Sequence, residues 1–179
     1  MKNYQTSEIK NVVLLGAPGS GKTTFAEAMA FEGKVIDRRG SIENENTLSD
    51  NTDLEHSNRR SIYSTILYTE FMNHKLNIID APGSDDFSGG LFAAFKVADV
   101  GLMLFNAQNG FEVGSEIQSR YAKTYNVPLV GVINQLDSEK ANWEGTLESI
   151  ASFSKVKPIV VQYPVNPGPG FDAFIDVLL

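Results

Sequence analysis

The sequence contains no cysteine, which excludes disulfide partners and thiolate metal sites. It also lacks any apolar run approaching the ~20 residues that a membrane-spanning helix needs, and its first residues, MKNYQTSEIK, lack the apolar stretch of a secretion signal. Positive charge is scarce, with 15 Lys and Arg against 22 Asp and Glu and a formal net charge of −7. A broad nucleic-acid-binding face on this chain is therefore disfavoured. These absences fit a cytoplasmic protein without a membrane partner.

Strand-like and helix-like segments alternate along the chain, and this alternation predicts the α/β fold class. The predicted strands span residues 10–15, 62–70, 75–79, 100–105, 129–133 and 158–161, and the predicted helices span residues 23–31, 89–98, 113–125 and 143–153, with a helical tail at 171–179. Residues 72–74 are expected to join the second and third strands as a hairpin. We therefore expect a mostly parallel sheet with one antiparallel strand and helices on both faces.

Residues 37–60 interrupt this alternation with a polar stretch that has few apolar positions and no clear period. Loops longer than roughly 15 residues in a compact domain are usually functional or disordered. We expect this segment to serve function.

Residues 16–24 read GAPGSGKTT and match the pattern G-x-x-x-x-G-K-[ST] through Gly16, Gly21, Lys22 and Thr23. Glycines let successive backbone N–H groups point at an anion, and a predicted strand precedes the loop while a predicted helix follows it. Lys22 would reach the β- and γ-phosphates, and the Thr23 hydroxyl would ligate Mg²⁺. The predicted phosphate-binding residues are Ala17, Pro18, Gly19, Ser20, Gly21, Lys22, Thr23 and Thr24.

The stretch LNIIDAPG, residues 76–83, is an apolar strand that delivers Asp80 at its carboxyl end, with a Pro-Gly turn beyond. A carboxylate in that position, beside a phosphate loop, can hold Mg²⁺ through water. The Gly83 N–H could contact a γ-phosphate, which would make the segment after it sensitive to the nucleotide.

The stretch VINQLD, residues 132–137, delivers Asn134, Gln135 and Asp137 after another predicted strand. A carboxylate accepts hydrogen bonds from both N1–H and the N2 amino group of guanine, and adenine lacks that donor pair. This motif predicts a guanine pocket formed by Asn134, Gln135 and Asp137.

A nucleotide kinase is the alternative that the phosphate loop leaves open, because GAPGSGKTT also resembles the loop of adenylate kinases. Such an enzyme needs arginines around its phosphate acceptor. The chain has five arginines, and four of them lie within the polar segment 37–60. A nucleotide kinase also needs neither the Asp80 motif nor the guanine pocket. The kinase is therefore the less favoured alternative.

Several stretches together resemble the G domain of elongation factor G and its paralogues. They are IIDAPGSDDFSGG, VADVGLMLFNAQNGFEVGSE, NVPLVGVINQLD and PIVVQYPV. The resemblance implies a three-layer P-loop NTPase G domain that binds GTP or GDP with Mg²⁺ and works on the ribosome during translocation. It further implies that residues 1–179 form a single G domain from the N-terminal part of a longer factor, since the family's last base-contacting Ser-Ala motif is not found in the chain.

The chain departs from this family at positions that matter for hydrolysis. Ser84 stands where the family carries a water-ordering His, and Tyr63 stands where it carries a metal-binding Thr, although Ser64 or Thr65 could supply the hydroxyl. Gly19 replaces a loop Asp, and Gln135 replaces a Lys whose stem covers the base, so affinity is expected to fall. These departures predict a GTPase with impaired hydrolysis or, alternatively, a non-hydrolysing GTP/GDP-binding ribosome factor. Either would order and release residues 37–65 and 84–90.

Overall fold

The computed structural model describes residues 3–84, 88–155 and 157–178, and a five-stranded sheet forms its centre. The strands are β1 (Ile9–Leu15), β2 (Thr65–Phe71), β3 (His74–Asp80), β4 (Val100–Asn106), β5 (Leu129–Asn134), β6 (Gln162–Val165) and β7 (Ala173–Asp176). The α-helices are α1 (Lys22–Glu32), α2 (Asp53–Asn58), α3 (Ser88–Val97), α4 (Val113–Thr124) and α5 (Trp143–Ser154), and a short 3₁₀ helix, Thr6–Glu8, precedes β1.

The strand order in the central sheet is β2-β3-β1-β4-β5, and four of these strands run parallel. Only β2 runs antiparallel, paired with β3 from Thr65 opposite Asp80 to Phe71 opposite His74. This arrangement confirms the predicted α/β fold with one antiparallel strand. The carboxyl ends of β1, β3, β4 and β5 lie at one edge of the sheet, which is where open α/β sheets bind ligands.

Alternation along β1 builds a core on each face of the sheet. Val12 and Leu14 pack with Ala26 of α1 on one face. Val13 and Leu15 pack on the other face against a larger cluster that contains Phe95 of α3 and Ala122 of α4. Because successive strand side chains point to opposite faces, one strand supports both helical layers and fixes the loop that follows it.

The hairpin between β2 and β3 turns at Met72 and Asn73, which have φ angles of 45° and 63°. Two consecutive left-handed residues give the tight turn whose twist matches the paired strands. The predicted hairpin is therefore confirmed, with His74 inside β3 and β2 beginning at Thr65 rather than at residue 62.

Two predictions near the end of the chain are wrong. Residues 158–161 form no strand, and the following residues Gln162–Val165 form β6 instead. Residues 171–178 contain strand β7 and no helix; residue 179 lies outside the described part. β6 and β7 pair with each other as a separate antiparallel sheet. The apolar tail fits either helical or strand periodicity, and the pairing partner decides between them.

The polar segment 37–60 is tied to α1 by one buried carboxylate. Glu27 accepts hydrogen bonds from the N–H groups of Gly40, at 2.9 Å, and Leu48. The short helix α2, which the sequence pattern did not predict, begins at a capping box formed by Thr52 and Glu55. The segment thus has structure of its own and ends beside the site described below.

None of the helices in the described ranges combines the length and the apolar composition needed to cross a bilayer.

Candidate functional site

The loop between β1 and α1 needs its glycines for their backbone geometry. Gly16, Gly19 and Gly21 have φ angles of 135°, 77° and 91°, in the region that disfavours residues with a Cβ. A Cβ added to Gly16 would lie 2.4 Å from the Leu104 carbonyl oxygen, whereas nothing lies within 4 Å of a Cβ added to Gly19. Gly16 is therefore required by both conformation and close packing.

Helix α4 supports this loop through Gln118, which is 2% exposed. Gly16 N–H donates to Gln118 Oε1 at 2.6 Å, and Gln118 Nε2 donates back to the Gly16 carbonyl at 3.4 Å. No local sequence motif predicts this contact, because the two residues lie 102 positions apart in the sequence. It fixes the entrance of the loop.

Lys22 folds back over the loop that precedes it. Its ammonium donates to the carbonyl oxygens of Gly16, at 2.9 Å, and Ala17, at 3.1 Å. Burial lowers its pKa to about 8, against the opposing charges of Asp80, Asp50 and Glu112. A desolvated cation with neutral hydrogen-bond partners is well suited to bind a phosphate oxygen.

Gly83 lies directly against the loop, as the predicted phosphate contact requires. A Cβ added there would lie 2.5 Å from Lys22 Nζ and 2.9 Å from the backbone nitrogen of Pro18. The turn after β3 and the loop after β1 therefore lie against each other, and a larger residue at position 83 would clash with the loop.

Thr23 and Asp80 meet as the sequence predicts. The Thr23 hydroxyl donates to Asp80 Oδ2 at 2.9 Å. Asp80 is 1% exposed, and its Oδ1 has no hydrogen-bond partner in the described part of the chain. Burial raises the pKa of Asp80, although the Ser49 and Thr23 hydroxyls and Lys22 oppose this. A buried carboxylate with a free oxygen fits a cation ligand.

Two further residues at this position were missed by sequence analysis. Ser61 Oγ lies 3.1 Å from Thr23 Oγ1. Asp50 is 5% exposed, and neither of its carboxylate oxygens has a hydrogen-bond partner in the described part of the chain. Burial raises the pKa of Asp50, while the neighbouring Ser61 hydroxyl lowers it. Carboxylate and hydroxyl oxygens are the ligands that Mg²⁺ prefers, so these residues fit that ion.

The cation would share its ligands with phosphate. The described residues contain no group of three or more His, Cys, Asp or Glu side chains that could cage a metal alone. Mg²⁺ in nucleotide sites is typically bound through one or two carboxylates and completes its shell with phosphate oxygens and water. The residues present match that pattern.

Tyr63, which stands where a metal-binding Thr is expected, is 57% exposed and does not place its hydroxyl at Thr23 and Asp80. The two substitutes expected from sequence are placed elsewhere as well. Thr65 Oγ1 donates to the Ser49 carbonyl at 3.0 Å, and Ser64 lies against Gly90 of α3. Ser61 is the hydroxyl of this segment that contacts Thr23.

Glu55 holds the backbone of this segment in place. Its Oε1 accepts hydrogen bonds from the N–H groups of Ile62 and Tyr63, both at 3.1 Å. Burial raises the pKa of Glu55, but these bonds and those from Thr52 outweigh it, so the pKa lies below its usual value. Glu55 thereby fixes where Ser61 lies.

The NQLD motif contacts the phosphate loop through its first two side chains. Asn134 Nδ2 donates to the Ser20 carbonyl, and Gln135 Nε2 donates to the Gly19 carbonyl, both at 2.9 Å. Asp137 lies three residues after Asn134 and is exposed to solvent. The motif predicted for the base and the loop predicted for the phosphates are therefore joined.

The predicted site residues differ in their exposure. Ala17, Ser20, Lys22 and Thr23 are buried, whereas Pro18, Gly19 and Thr24 are exposed. Ser84 follows Gly83 at the edge of the site. Of the segment 84–90 expected to respond to nucleotide, residues 85–87 lie outside the described part of the chain.

Comparison with known proteins gives one consistent result. The family described as "Elongation factor Tu GTP binding domain" matches residues 7–174. The chain is 31% identical over 177 residues to elongation factor G of Dehalococcoides mccartyi strain CBDB1, covering 99% of this chain and 26% of that protein. It is 28% identical over 171 residues to elongation factor G 2 of Borreliella afzelii, covering 96% of this chain and 26% of that protein.

Two other relatives extend this result. The mitochondrial ribosome-releasing factor 2 of Danio rerio is 27% identical over 176 residues, covering 98% of this chain and 23% of that protein. A crystal structure of a Thermus thermophilus protein superimposes with a TM-score of 0.88 at 31% identity, covering 96% of this chain and 26% of that one. The chain spans about a quarter of the length of these relatives.

Proposed function

The chain belongs to the family of elongation factor Tu GTP-binding domains, and from that premise we propose that it binds GTP and GDP for an elongation factor G-like protein that promotes translocation on the ribosome. One observation carries the proposal: Asn134 and Gln135 are hydrogen-bonded to the carbonyls of Ser20 and Gly19. A nucleotide whose phosphates lie in the loop would therefore place its base near Asp137. The cytoplasm is the compartment where this protein would meet ribosomes.

Different residues of this site would bind the phosphates, the metal ion and the base of the nucleotide. Backbone N–H groups of residues 17–24 and the Lys22 ammonium would bind the β- and γ-phosphates, with Gly83 N–H at the γ-phosphate. Thr23 and Asp80, joined by Ser61 and Asp50, would hold Mg²⁺, which neutralises phosphate charge when bound. Asp137 would accept from guanine N1–H and its amino group.

Calorimetry of the chain with GDP, a GTP analogue and ATP tests the proposal. We expect binding of both guanine nucleotides and discrimination against ATP by a factor on the order of 10²–10⁴, because adenine leaves the Asp137 carboxylate unpaired. Lys22→Ala should weaken the binding of both guanine nucleotides. Lys140 is an exposed lysine beyond the NQLD motif, so Lys140→Ala should leave their binding unchanged. ATP binding with indifference to guanine would instead support the nucleotide kinase.

Impaired hydrolysis is the finer part of the proposal. Ser84 is too short to place a donor where an imidazole would, and the exposed Tyr63 offers no hydroxyl to the metal site. Loss of a positioned acid-base group typically costs ~10²–10⁴-fold in rate. The chain would then act through nucleotide occupancy, with residues 37–65 and 84–90 as the segments that respond to it.

A role in ribosome release is the second candidate for the whole protein, because one relative carries that name. Both candidates share the same nucleotide site and differ in the ribosomal step. A translocation assay and a subunit-dissociation assay, each run with the full-length protein and GTP, distinguish them.

A further inference from the structure

Three hydrogen bonds run in series from the turn after β4 to the phosphate loop. The Gln108 N–H donates to Asn106 Oδ1 at 2.8 Å. Asn106 Nδ2 donates to Gln135 Oε1 at 2.6 Å, and Gln135 Nε2 donates to the Gly19 carbonyl at 2.9 Å. The two side-chain amides therefore link the ends of β4 and β5 to the loop after β1.

The direction of this series is fixed at both ends by backbone groups. A backbone N–H can only donate, so Asn106 must turn its oxygen toward Gln108 and its NH₂ group toward Gln135. A backbone carbonyl can only accept, so Gln135 must turn its NH₂ group toward Gly19. Each amide orientation requires the other, because reversing either one would place two donors or two acceptors together.

The backbone places both amides where they can meet. Asn106 and Asn134 are directly paired at the ends of β4 and β5, and the turn after β4 closes as Gly110 N–H donates to the Asn106 carbonyl at 3.0 Å. Gln135 has a φ angle of 59°, in the left-handed region that residues with a Cβ seldom adopt. This conformation at Gln135 follows directly on the strand end at Asn134.

We propose that Asn106 is a positioning residue for nucleotide binding, which orients the Gln135 amide so that Gln135 holds the phosphate loop by the Gly19 carbonyl. Gln135 thus does more than stand in for a lysine at this position: its function depends on a partner on the neighbouring strand. The inference rests on the proposed function, since the loop that is held is the one expected to bind phosphate.

Asn106→Asp is the decisive change, because it keeps the shape of the side chain and removes only its donor. An aspartate can still accept from Gln108 N–H, but it would also draw the Gln135 NH₂ group toward itself. Gln135 would then present its oxygen to the Gly19 carbonyl, and the loop would lose its tie. We expect the GDP dissociation constant to rise about 5- to 50-fold.

The added negative charge needs a matched control, since it also repels an anionic ligand. Gln108→Glu adds the same charge two residues away on an exposed side chain that the series does not use. We expect GDP affinity to change less than about threefold for Gln108→Glu, and the difference between the two variants to persist at high salt, where exposed charges are screened.

The double variant Asn106→Asp with Gln135→Lys provides the rescue. A lysine at 135 can donate both to an aspartate at 106 and to the Gly19 carbonyl, so GDP affinity should return to within about threefold of wild type. Gln135→Lys alone should not improve affinity, because it faces the NH₂ group of Asn106. Additive effects in the double variant, or equal losses in Asn106→Asp and Gln108→Glu, would overturn the proposal.

A measurement without nucleotide separates this inference from the proposed function. In ¹⁵N NMR spectra of the nucleotide-free chain, we expect the Gln135 side-chain NH₂ to exchange slowly in wild type and to lose that protection in Asn106→Asp. Absence of protection in wild type contradicts the inference whatever the chain binds. Protection together with no GDP binding contradicts only the proposed function.

Discussion

The hydroxyl oxygens of Thr23 and Ser61 lie 3.1 Å apart, which joins the first turn of α1 to the segment before β2. Thr23 donates its proton to Asp80 Oδ2, and the single Ser61 proton can be shared between Thr23 Oγ1 and the neighbouring Asp50 carboxylate. Both oxygens keep lone pairs that a cation could use. Nucleotide and metal bound at Thr23 would thereby be sensed directly by the segment that contains Ser61.

Ser61→Ala should raise the Mg²⁺ concentration needed to retain a bound GTP analogue by about 3- to 30-fold, because one oxygen near the proposed metal position is lost. Tyr63→Ala serves as the matched control, since that side chain is 57% exposed. Release of a fluorescent GTP analogue, followed across a Mg²⁺ titration, measures both. Equal Mg²⁺ requirements for Ser61→Ala and wild type would count against a metal role for Ser61.

Asp137→Asn should exchange guanine for xanthine as the preferred base. Xanthine carries a carbonyl where guanine has its amino group, so an amide NH₂ can donate to it while the amide oxygen accepts from N1–H. We expect GDP affinity to fall on the order of 10²-fold or more and XDP affinity to rise. Competition binding with the two nucleotides measures this, and Glu139→Gln, a nearby exposed acid, should leave the preference unchanged.

Gly16→Ala should destabilise the fold, whereas Gly19→Ala should be tolerated far better. Both glycines have positive φ angles, of 135° and 77°, so both variants carry backbone strain. Only the Gly16 variant also forces a Cβ to 2.4 Å from the Leu104 carbonyl oxygen. We expect the free energy of unfolding to drop by about 3 kcal/mol or more at Gly16 and about 1 kcal/mol at Gly19. Urea unfolding of the nucleotide-free chain measures both, and equal losses would contradict the close approach at Gly16.

Glu55→Gln should destabilise the segment before β2 in a pH-dependent way. The folded-state pKa of Glu55 lies below its usual value. A carboxylate of that kind stabilises the fold above its unfolded pKa, and the stabilisation is lost as the pH falls through the folded pKa. The difference in free energy of unfolding between wild type and Glu55→Gln should therefore be largest near neutral pH, at about 1–3 kcal/mol, and shrink in acid.

Urea unfolding at several pH values tests this, with Glu148→Gln, an exposed acid on α5, as the control. A difference that stays constant from neutral pH to strongly acidic conditions would show that the Glu55 charge is not what stabilises the segment.

The sequence predicts those parts of this molecule that local patterns encode. Short apolar runs locate β1 and β3, and the spacing of Gly16, Gly21 and Lys22 locates the phosphate loop, because each signal is local in the sequence. The strand β7 was missed because its apolar residues fit two periodicities, and only pairing with β6 decides between them.

Contacts between residues far apart in the sequence are not encoded by any local pattern. Gln118 contacts Gly16 across 102 positions, and Asn106 contacts Gln135 across 29. Ser61 lies beside Thr23 in a segment whose next two backbone N–H groups donate to Glu55, and no local spacing in the sequence predicts these contacts. Gln135 was expected to weaken nucleotide affinity because it is shorter than a lysine. Its side chain nevertheless reaches the Gly19 carbonyl.

Ser84→His should raise GTP cleavage on the ribosome if hydrolysis is impaired for want of a water-ordering group. Ser84 follows Gly83, whose backbone lies against Lys22 and Pro18, so an imidazole at 84 would begin beside the expected γ-phosphate. Restoring a positioned donor is worth ~10²–10⁴-fold when the rest of the machinery is intact, and less here because Tyr63 and Gly19 also depart from the family. Single-turnover cleavage with ribosomes and the full-length protein measures the rate, with Ser84→Ala as the control. A wild-type rate already equal to that of an ordinary elongation factor would end the idea of impaired hydrolysis.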